Sequence, residues 1–191
     1  MSLKINALTK KFGDTVVLSD FSYSFGTRGS HLIIGESGIG KTTLLRMIAG
    51  LDNDYAGSIE NGGTTNVSFM FQEYRLFPTL NALKNAALPL TDKSSTLPYE
   101  LLTRLGFKPE DMTKKPRELS GGMKQRVAFV RALVKSAGIL ILDEPTKELD
   151  SETASVMLDL IREEAAKRLV LIVTHDDIHE SLPDAAVIKI G

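Results

Sequence analysis

Cysteine is absent from the 191 residues, which excludes disulfide bridges and thiol chemistry and suits a reducing cytoplasm. Long apolar runs are missing too. The uninterrupted ones, such as Leu169 to Val173, fall far short of the roughly 20 residues that a membrane-spanning helix needs. The opening Met1-Ser2-Leu3-Lys4-Ile5-Asn6 lacks the apolar region of a signal peptide, so any membrane role is expected to come through a partner. Nor is there an excess of charge. With 23 Lys and Arg against 24 Asp and Glu the net charge is -1, which gives no generic pull toward anionic lipid or nucleic acid, and no nucleic-acid partner is expected. No internal repeat or low-complexity tract stands out. What remains, 42% hydrophobic and 25% charged residues, is the composition of an ordinary globular protein, long enough for one sizeable core and a small subdomain.

One stretch breaks this plain background. Gly35-Glu36-Ser37-Gly38-Ile39-Gly40-Lys41-Thr42 satisfies the phosphate-binding pattern G-x-x-x-x-G-K-[ST]. Gly35 and Gly40 allow a backbone curl whose amides point at one anion, and Gly38 clears another side chain from the same path. Lys41 would reach the β- and γ-phosphates, and the Thr42 hydroxyl would take a place on Mg²⁺. The flanks agree. His31-Leu32-Ile33-Ile34 reads as a buried strand, and Thr43 to Ala49 carries apolar residues at helical spacing before stopping at Gly50. Strand, glycine-rich loop and helix in that order add the partial positive charge of the helix N-terminus to the site.

Two β-like segments precede the loop, Leu3 to Leu8 and Val16 to Phe25. Between them Lys10-Lys11-Phe12-Gly13-Asp14 reads as a turn, where the Phe12 ring either stacks on a purine or packs at an edge. After the loop helix, Asp52 to Gly63 reads as turns around a short strand. Val67 to Phe71 follows as a second buried strand ending at Gln72, an amide that would orient water, touch Mg²⁺ or simply face solvent. Short helical patterns at Leu80 to Ala87 and Pro98 to Leu105, separated by prolines, read as an inserted helical lobe, with Lys114, Lys115 and Arg117 as a solvated face. Ser120-Gly121-Gly122 then opens a helical pattern through Val127, Val130, Leu133 and Val134. Ser120 is a candidate N-cap, and the two glycines expose amides for either a second anion site or an ordinary capped helix.

Gly138 to Leu142 is a third buried run, and it delivers Asp143-Glu144. Parallel sheets bind ligands at the carboxyl ends of their strands, so both carboxylates would project toward the phosphate loop. Asp143 suits Mg²⁺, and Glu144 is placed to orient or deprotonate an attacking water. Asp150 to Thr153 supplies start signals for a helix running to about Lys167. A fourth run, Leu169 to Val173, ends at Thr174-His175-Asp176. The strand ends thus carry Gly35, Gln72, Asp143-Glu144 and His175, and Val187 to Ile190 reads as a last edge strand.

Together these segments resemble the ATP-binding cassette family, specifically a nucleotide-binding subunit of an ABC transporter. GESGIGKT resembles Walker A, Gln72 the Q-loop, LSGGM the signature, ILILDEP Walker B, KELD the D-loop and VTHD the switch histidine. The resemblance implies an α/β fold: a P-loop core with an antiparallel β subdomain, over about 1–72 and 137–191, and an inserted helical subdomain carrying the signature, over about 73–136. It implies that ATP is held by Phe12 on the adenine and by Gly35, Glu36, Ser37, Gly38, Gly40, Lys41, Thr42 and Thr43. It further implies that two cassettes pair head to tail as a homodimer or heterodimer, so that Ser120, Gly121, Gly122 and Asp150 complete the site from the other subunit. Thr42, Gln72 and Asp143 would hold Mg²⁺. Glu144, His175, Gln72 and Lys41 would form the catalytic set.

The implied activity is ATP hydrolysis that powers a membrane transporter through integral-membrane permease subunits, with the cassette on the cytoplasmic face. The stretch from Gln72 to Asn85 has some likeness to nitrate, sulfonate and taurine importers, which favours import of a small solute. Lipoprotein-release and export cassettes, or a soluble cassette ATPase of the iron-sulfur assembly kind, are the alternatives. Three departures from the family pattern stand out: Met123 in place of Gln or Glu, Lys147-Glu148 in place of small residues, and an end soon after His175, from which no C-terminal regulatory domain is expected.

Overall fold

The computed structural model describes residues 2–60, 67–92, 94–174 and 181–190. Its centre is a five-stranded parallel sheet in the order β5-β6-β7-β3-β8, formed by β3 (Gly29–Ile34), β5 (Val67–Met70), β6 (Ile139–Asp143), β7 (Leu169–Val173) and β8 (Ala186–Lys189). β6 and β7 are buried along their whole length. Their unbroken Ile, Leu and Val runs follow from that, because a strand covered on both faces has no solvent side to alternate toward.

The period of two reappears in what each side chain packs against. Leu140, Leu142, Val170 and Ile172 face one core with α4 (Gly121–Leu133) and α5 (Ser151–Ala165). Ile139, Ile141, Leu171 and Val173 face a second core with α1 (Lys41–Ile48), to which Leu3, Ile5, Leu8 and Leu18 contribute from a separate sheet. That second sheet is antiparallel, in the order β2-β1-β4, built from β1 (Lys4–Phe12), β2 (Thr15–Ser24) and β4 (Ala56–Glu60). The helical region between β5 and β6 holds α2 (Ala82–Ala86), α3 (Leu97–Arg104), two 3₁₀ turns and α4. The fold class is therefore the expected α/β arrangement of a parallel sheet with an antiparallel one.

One segment differs from its reading. Lys10, Lys11 and Phe12 belong to β1 rather than to a turn, and the turn shrinks to Gly13-Asp14. β1 shifts register against β2 between Ile5 and Leu8, again before Lys10 and again before Lys11, with Ala7 at φ 48°. Each shift displaces the inward face, so the hydrophobic alternation stops just where the strand continues. Lys10 is buried there against Asp52 and Asp54, at 3.0 and 3.3 Å. Burial works against its charge, but the two carboxylates outweigh it and hold the ammonium above its ordinary value.

Asn85 of α2 pins the chain that follows Gln72. Fully buried, it accepts from Phe77 N at 2.8 Å and donates to the carbonyls of Phe77, Leu80 and Asn81 at 3.0 to 3.1 Å. Replacing it with alanine strands those backbone groups away from water. Asn85→Ala is expected to cost about 2–3 kcal/mol in chemical denaturation, and Asn85→Asp more, because it adds a charge while removing the donors.

Candidate functional site

The site forms because three parallel strands end at one level. Val173 of β7 pairs with Asp143 of β6 on one side and with Ile33 of β3 on the other, so the acidic end of β6 stands level with the start of the phosphate loop. Thr42 Oγ1 closes the gap by donating to Asp143 Oδ2 at 2.9 Å, across 101 residues of sequence.

The loop itself turns on glycine. Gly40 has φ 105°, and a Cβ there would lie 2.5 Å from Val17 Cγ1; at Gly35 it would collide with the Ile190 carbonyl. Gly38 has φ 81° and nothing within 4 Å of where a Cβ would stand, so its freedom serves conformation and open space rather than packing. Gly40 is also the N-cap of α1, whose first turn carries no acidic residue and no side-chain cap, leaving its amides directed at the loop. Lys41 Nζ donates to the carbonyls of Gly35 and Glu36, both at 2.8 Å, which folds the loop around two of its three N–H groups.

A cleft of about 240 Å³ results, lined by Ser37, Gly38, Gly40, Lys41, Thr42, Thr43, Gln72, Asp143, Glu144 and Val173. Asp143 is 1% exposed, and its Oδ1 is buried without a hydrogen-bond partner. Burial, with Glu144 and Glu73 nearby, pushes its carboxyl above the ordinary value against the opposing Thr42 hydrogen bond. A carboxylate held this way favours its protonated form in the fold. Its cost to stability is absent below the ordinary carboxylate range, builds up as pH rises from the ordinary value to the raised folded one, and is complete above that. A divalent cation at Oδ1 would remove that cost, and the donors present, one carboxylate and one hydroxyl, are the hard oxygens Mg²⁺ takes. Among the described residues no group of three or more His, Cys, Asp or Glu is placed to hold a metal ion.

Glu144 sits at φ 56°, a left-handed conformation rare outside glycine, with its N–H donated to Val173 O at 2.8 Å. Phe12 is 54% exposed at the end of β1, with the Lys10 ammonium 4.8 Å from its ring centroid, and does not line the cleft. Ser120, Gly121 and Gly122 do not line it either. Ser120 Oγ accepts from Met123 N at 3.2 Å as the N-cap of α4, and the two glycines pack against Glu148 so closely that a Cβ on either would collide with it. Asp150 caps α5 through Thr153 N at 2.8 Å. His175 lies outside the described residues.

Three interactions around the cleft escape a reading of motifs. Gln125 of α4 donates to the carbonyls of Glu144 and Pro145. Arg131 of α4 donates to the carbonyls of Tyr74 and Arg75, both at 2.7 Å, fixing the chain beyond Gln72. Tyr74 donates to Glu148 Oε2 at 2.6 Å, and burial together with that carboxylate pushes its hydroxyl up to about 12. Only Gln125 left a trace in the sequence, as a polar residue on the same helical stripe as Ala128, Phe129, Ala132 and Leu133, all buried.

The loop geometry separates two glycines that look alike. Gly40→Ala is expected to lose about 1–3 kcal/mol from the backbone conformation and more from the collision with Val17, whereas Gly38→Ala loses only the backbone part. Both should weaken nucleotide binding. Denaturation curves and fluorescent-nucleotide titrations check this, and equal destabilisation by the two would contradict it.

The family model described as ABC transporter matches residues 18–147. The aliphatic sulfonates import ATP-binding protein SsuB of Bacillus subtilis (strain 168) is 39% identical, with 95% of this chain and 75% of that protein covered. The spermidine/putrescine import ATP-binding protein PotA of Fusobacterium nucleatum subsp. nucleatum is 38% identical over 91% of this chain and 50% of its own length. Among solved structures, the dimeric post-hydrolysis state of the ATP-binding cassette MJ0796 bound to ADP and Pi superposes with a TM-score of 0.84 at 27% identity, covering 98% of this chain and 94% of that one. The matched stretch runs from β2 through the phosphate loop to the acidic end of β6 and holds every lining residue of the cleft except Val173, and on that ground the chain belongs to the ABC transporter family as an ATP-binding cassette.

Proposed function

We propose that this cassette hydrolyses ATP in the presence of Mg²⁺ as the energy-supplying subunit of a membrane importer for a small solute. One observation carries the reading: the phosphate loop, Gln72, Asp143 and Glu144 line a single cleft at the carboxyl ends of the parallel strands.

The amides of residues 37–42 and the Lys41 ammonium bind the phosphate chain, and Phe12 stacks on the adenine. Thr42, Asp143 and Gln72 would hold Mg²⁺, which would supply neutralisation of the phosphate charge. Glu144 orients a water and accepts its proton as the water oxygen bonds to the γ-phosphorus. The bond from that phosphorus to the bridging oxygen breaks, and ADP leaves with the electron pair. By its likeness to the family's switch histidine, His175 is assigned the sensing of the γ-phosphate. Glu36 and Thr43 complete the loop's contacts with the nucleotide.

Ser120, Gly121 and Gly122 stand apart from their own chain's cleft, which supports their acting on a second chain. In a head-to-tail pair each signature loop closes over the γ-phosphate held by the other subunit, with Asp150 at the junction. The dimeric cassette that this fold superposes on has a matching subunit number. Within each cassette, residues 1–72 and 137–191 form the nucleotide-binding core with its β part, and 73–136 form the helical lobe that turns toward a permease. Among the described residues no helix is long and apolar enough to cross a membrane. The import ATP-binding proteins among its relatives support a cassette that works from the cytoplasmic face, held there by permease subunits. Import is favoured over export by the import proteins at 36–40% identity.

Glu144→Gln keeps the shape of the side chain and loses the base. It is expected to retain ATP binding, to lose about 10²–10⁴-fold in turnover and to accumulate an ATP-bound dimer, read by phosphate release and by size-exclusion chromatography with light scattering. Undiminished hydrolysis removes Glu144 from the catalytic role.

A further inference from the structure

Gln125 is 3% exposed, inside α4, and the catalytic scheme above makes no use of it. Its amide nitrogen commits both hydrogens to one turn, donating to Glu144 O at 2.7 Å and to Pro145 O at 3.0 Å. That turn holds Glu144 at φ 56°, a conformation that costs a non-glycine residue about 1–3 kcal/mol unless its surroundings impose it. On the other side, Glu144 N is held by Val173 O at 2.8 Å. The backbone of Glu144 is thus fixed from both directions, by the end of β7 through its N–H and by α4 through its carbonyl.

We propose that Gln125 is a positioning residue for hydrolysis: it holds the Glu144-Pro145 turn in the left-handed conformation that directs the Glu144 carboxylate into the cleft. This rests on the reading of Glu144 as the base. The physical reason is directional. Were the amide absent, the Glu144 carbonyl would lose its 2.7 Å bond and keep the longer one from Lys147 N at 3.4 Å, the Pro145 carbonyl would lose its bond to the same amide, and the peptide would relax by rotating toward an ordinary conformation, which swings the side chain that leaves from the same Cα. A displacement on the order of 1 Å costs about 10²-fold in a reaction that depends on alignment. The phosphate loop is built from other elements, so nucleotide binding is untouched. A second consequence follows from where Gln125 sits. It lies on the helix that Ser120 caps, so a force applied to the signature loop reaches the base of the same chain along one rigid helix.

The experiment is a double-mutant cycle. Gln125→Met removes both donors at nearly constant volume; kcat, KM, nucleotide affinity and thermal midpoint are measured in the native and Glu144→Gln backgrounds, with single-turnover assays for the slow variants. The expected result is a loss of about 10- to 100-fold in kcat with KM and nucleotide affinity within about twofold, and less than about twofold further loss when Glu144 is already Gln. A residue that only supports the fold would lower the thermal midpoint while leaving kcat per folded molecule unchanged. Should Gln125→Met not fold, Gln125→Asn, which keeps the amide but draws it back by one carbon, enters the same cycle with the same expectation. Full turnover by the Gln125 variant while Glu144→Gln is inactive overturns this inference alone, as does an equal fold-loss in both backgrounds. Full turnover by Glu144→Gln overturns the base assignment and the inference together.

Discussion

The hydrogen bond between Thr42 and Asp143 is the contact on which the rest of the site depends. It joins the first turn of α1 to the last residue of β6, and it exists only because β3 and β6 both pair with β7 in parallel and in matching register. That register in turn requires strands buried on both faces, where a one-residue slip would move every side chain into the wrong core. The cost of the arrangement is a carboxylate placed in the protein interior with one oxygen unpaired and its protonation shifted upward. A site that keeps a desolvated carboxylate beside the phosphate loop gives up stability, which is a common exchange between function and stability.

α4 is the second organising element. Along one helix it carries the Ser120 cap, the Gln125 amide on the Glu144-Pro145 turn and the Arg131 guanidinium on the carbonyls of Tyr74 and Arg75. Burial pulls the Arg131 guanidinium below its ordinary value, yet it remains charged and its fork geometry holds two successive carbonyls at once. Ser120, the Glu144-Pro145 turn and the chain beyond Gln72 are therefore all attached to one helix. On the proposed function, α4 is the element through which closure around ATP would be passed to a neighbour.

How much was legible in the sequence follows from the range of the interactions involved. β6 and β7 were readable because burial on both faces leaves unbroken apolar runs, β3 and β5 as shorter apolar stretches beside motif residues, and the phosphate loop because its chemistry needs glycine and lysine at fixed spacing. Ser120 and Asp150 were readable as caps because a cap is a local hydrogen bond, made to the residue three positions on. The end of β1 was not, since its register shifts depend on where β2 sits and erase the period that marks a strand. Gln125 showed only as a polar residue on a buried helical stripe and Tyr74 not at all, since their partners lie 19 and 74 residues away and only the fold brings them near. Lys147-Glu148 stood out as a departure from the family pattern, but the packing of Glu148 under Gly121 and Gly122 needs the D-loop and the signature in three dimensions.

The central claim is that this cassette applies the energy of ATP to a membrane partner, and the most direct measurement is mass spectrometry of what co-purifies with the tagged protein from detergent-solubilised membranes of its native host. A multi-span integral-membrane protein at near-equal stoichiometry is the predicted result, with a solute-binding protein alongside it if the direction is import. Recovery from the soluble fraction alone, with no membrane partner, would contradict it.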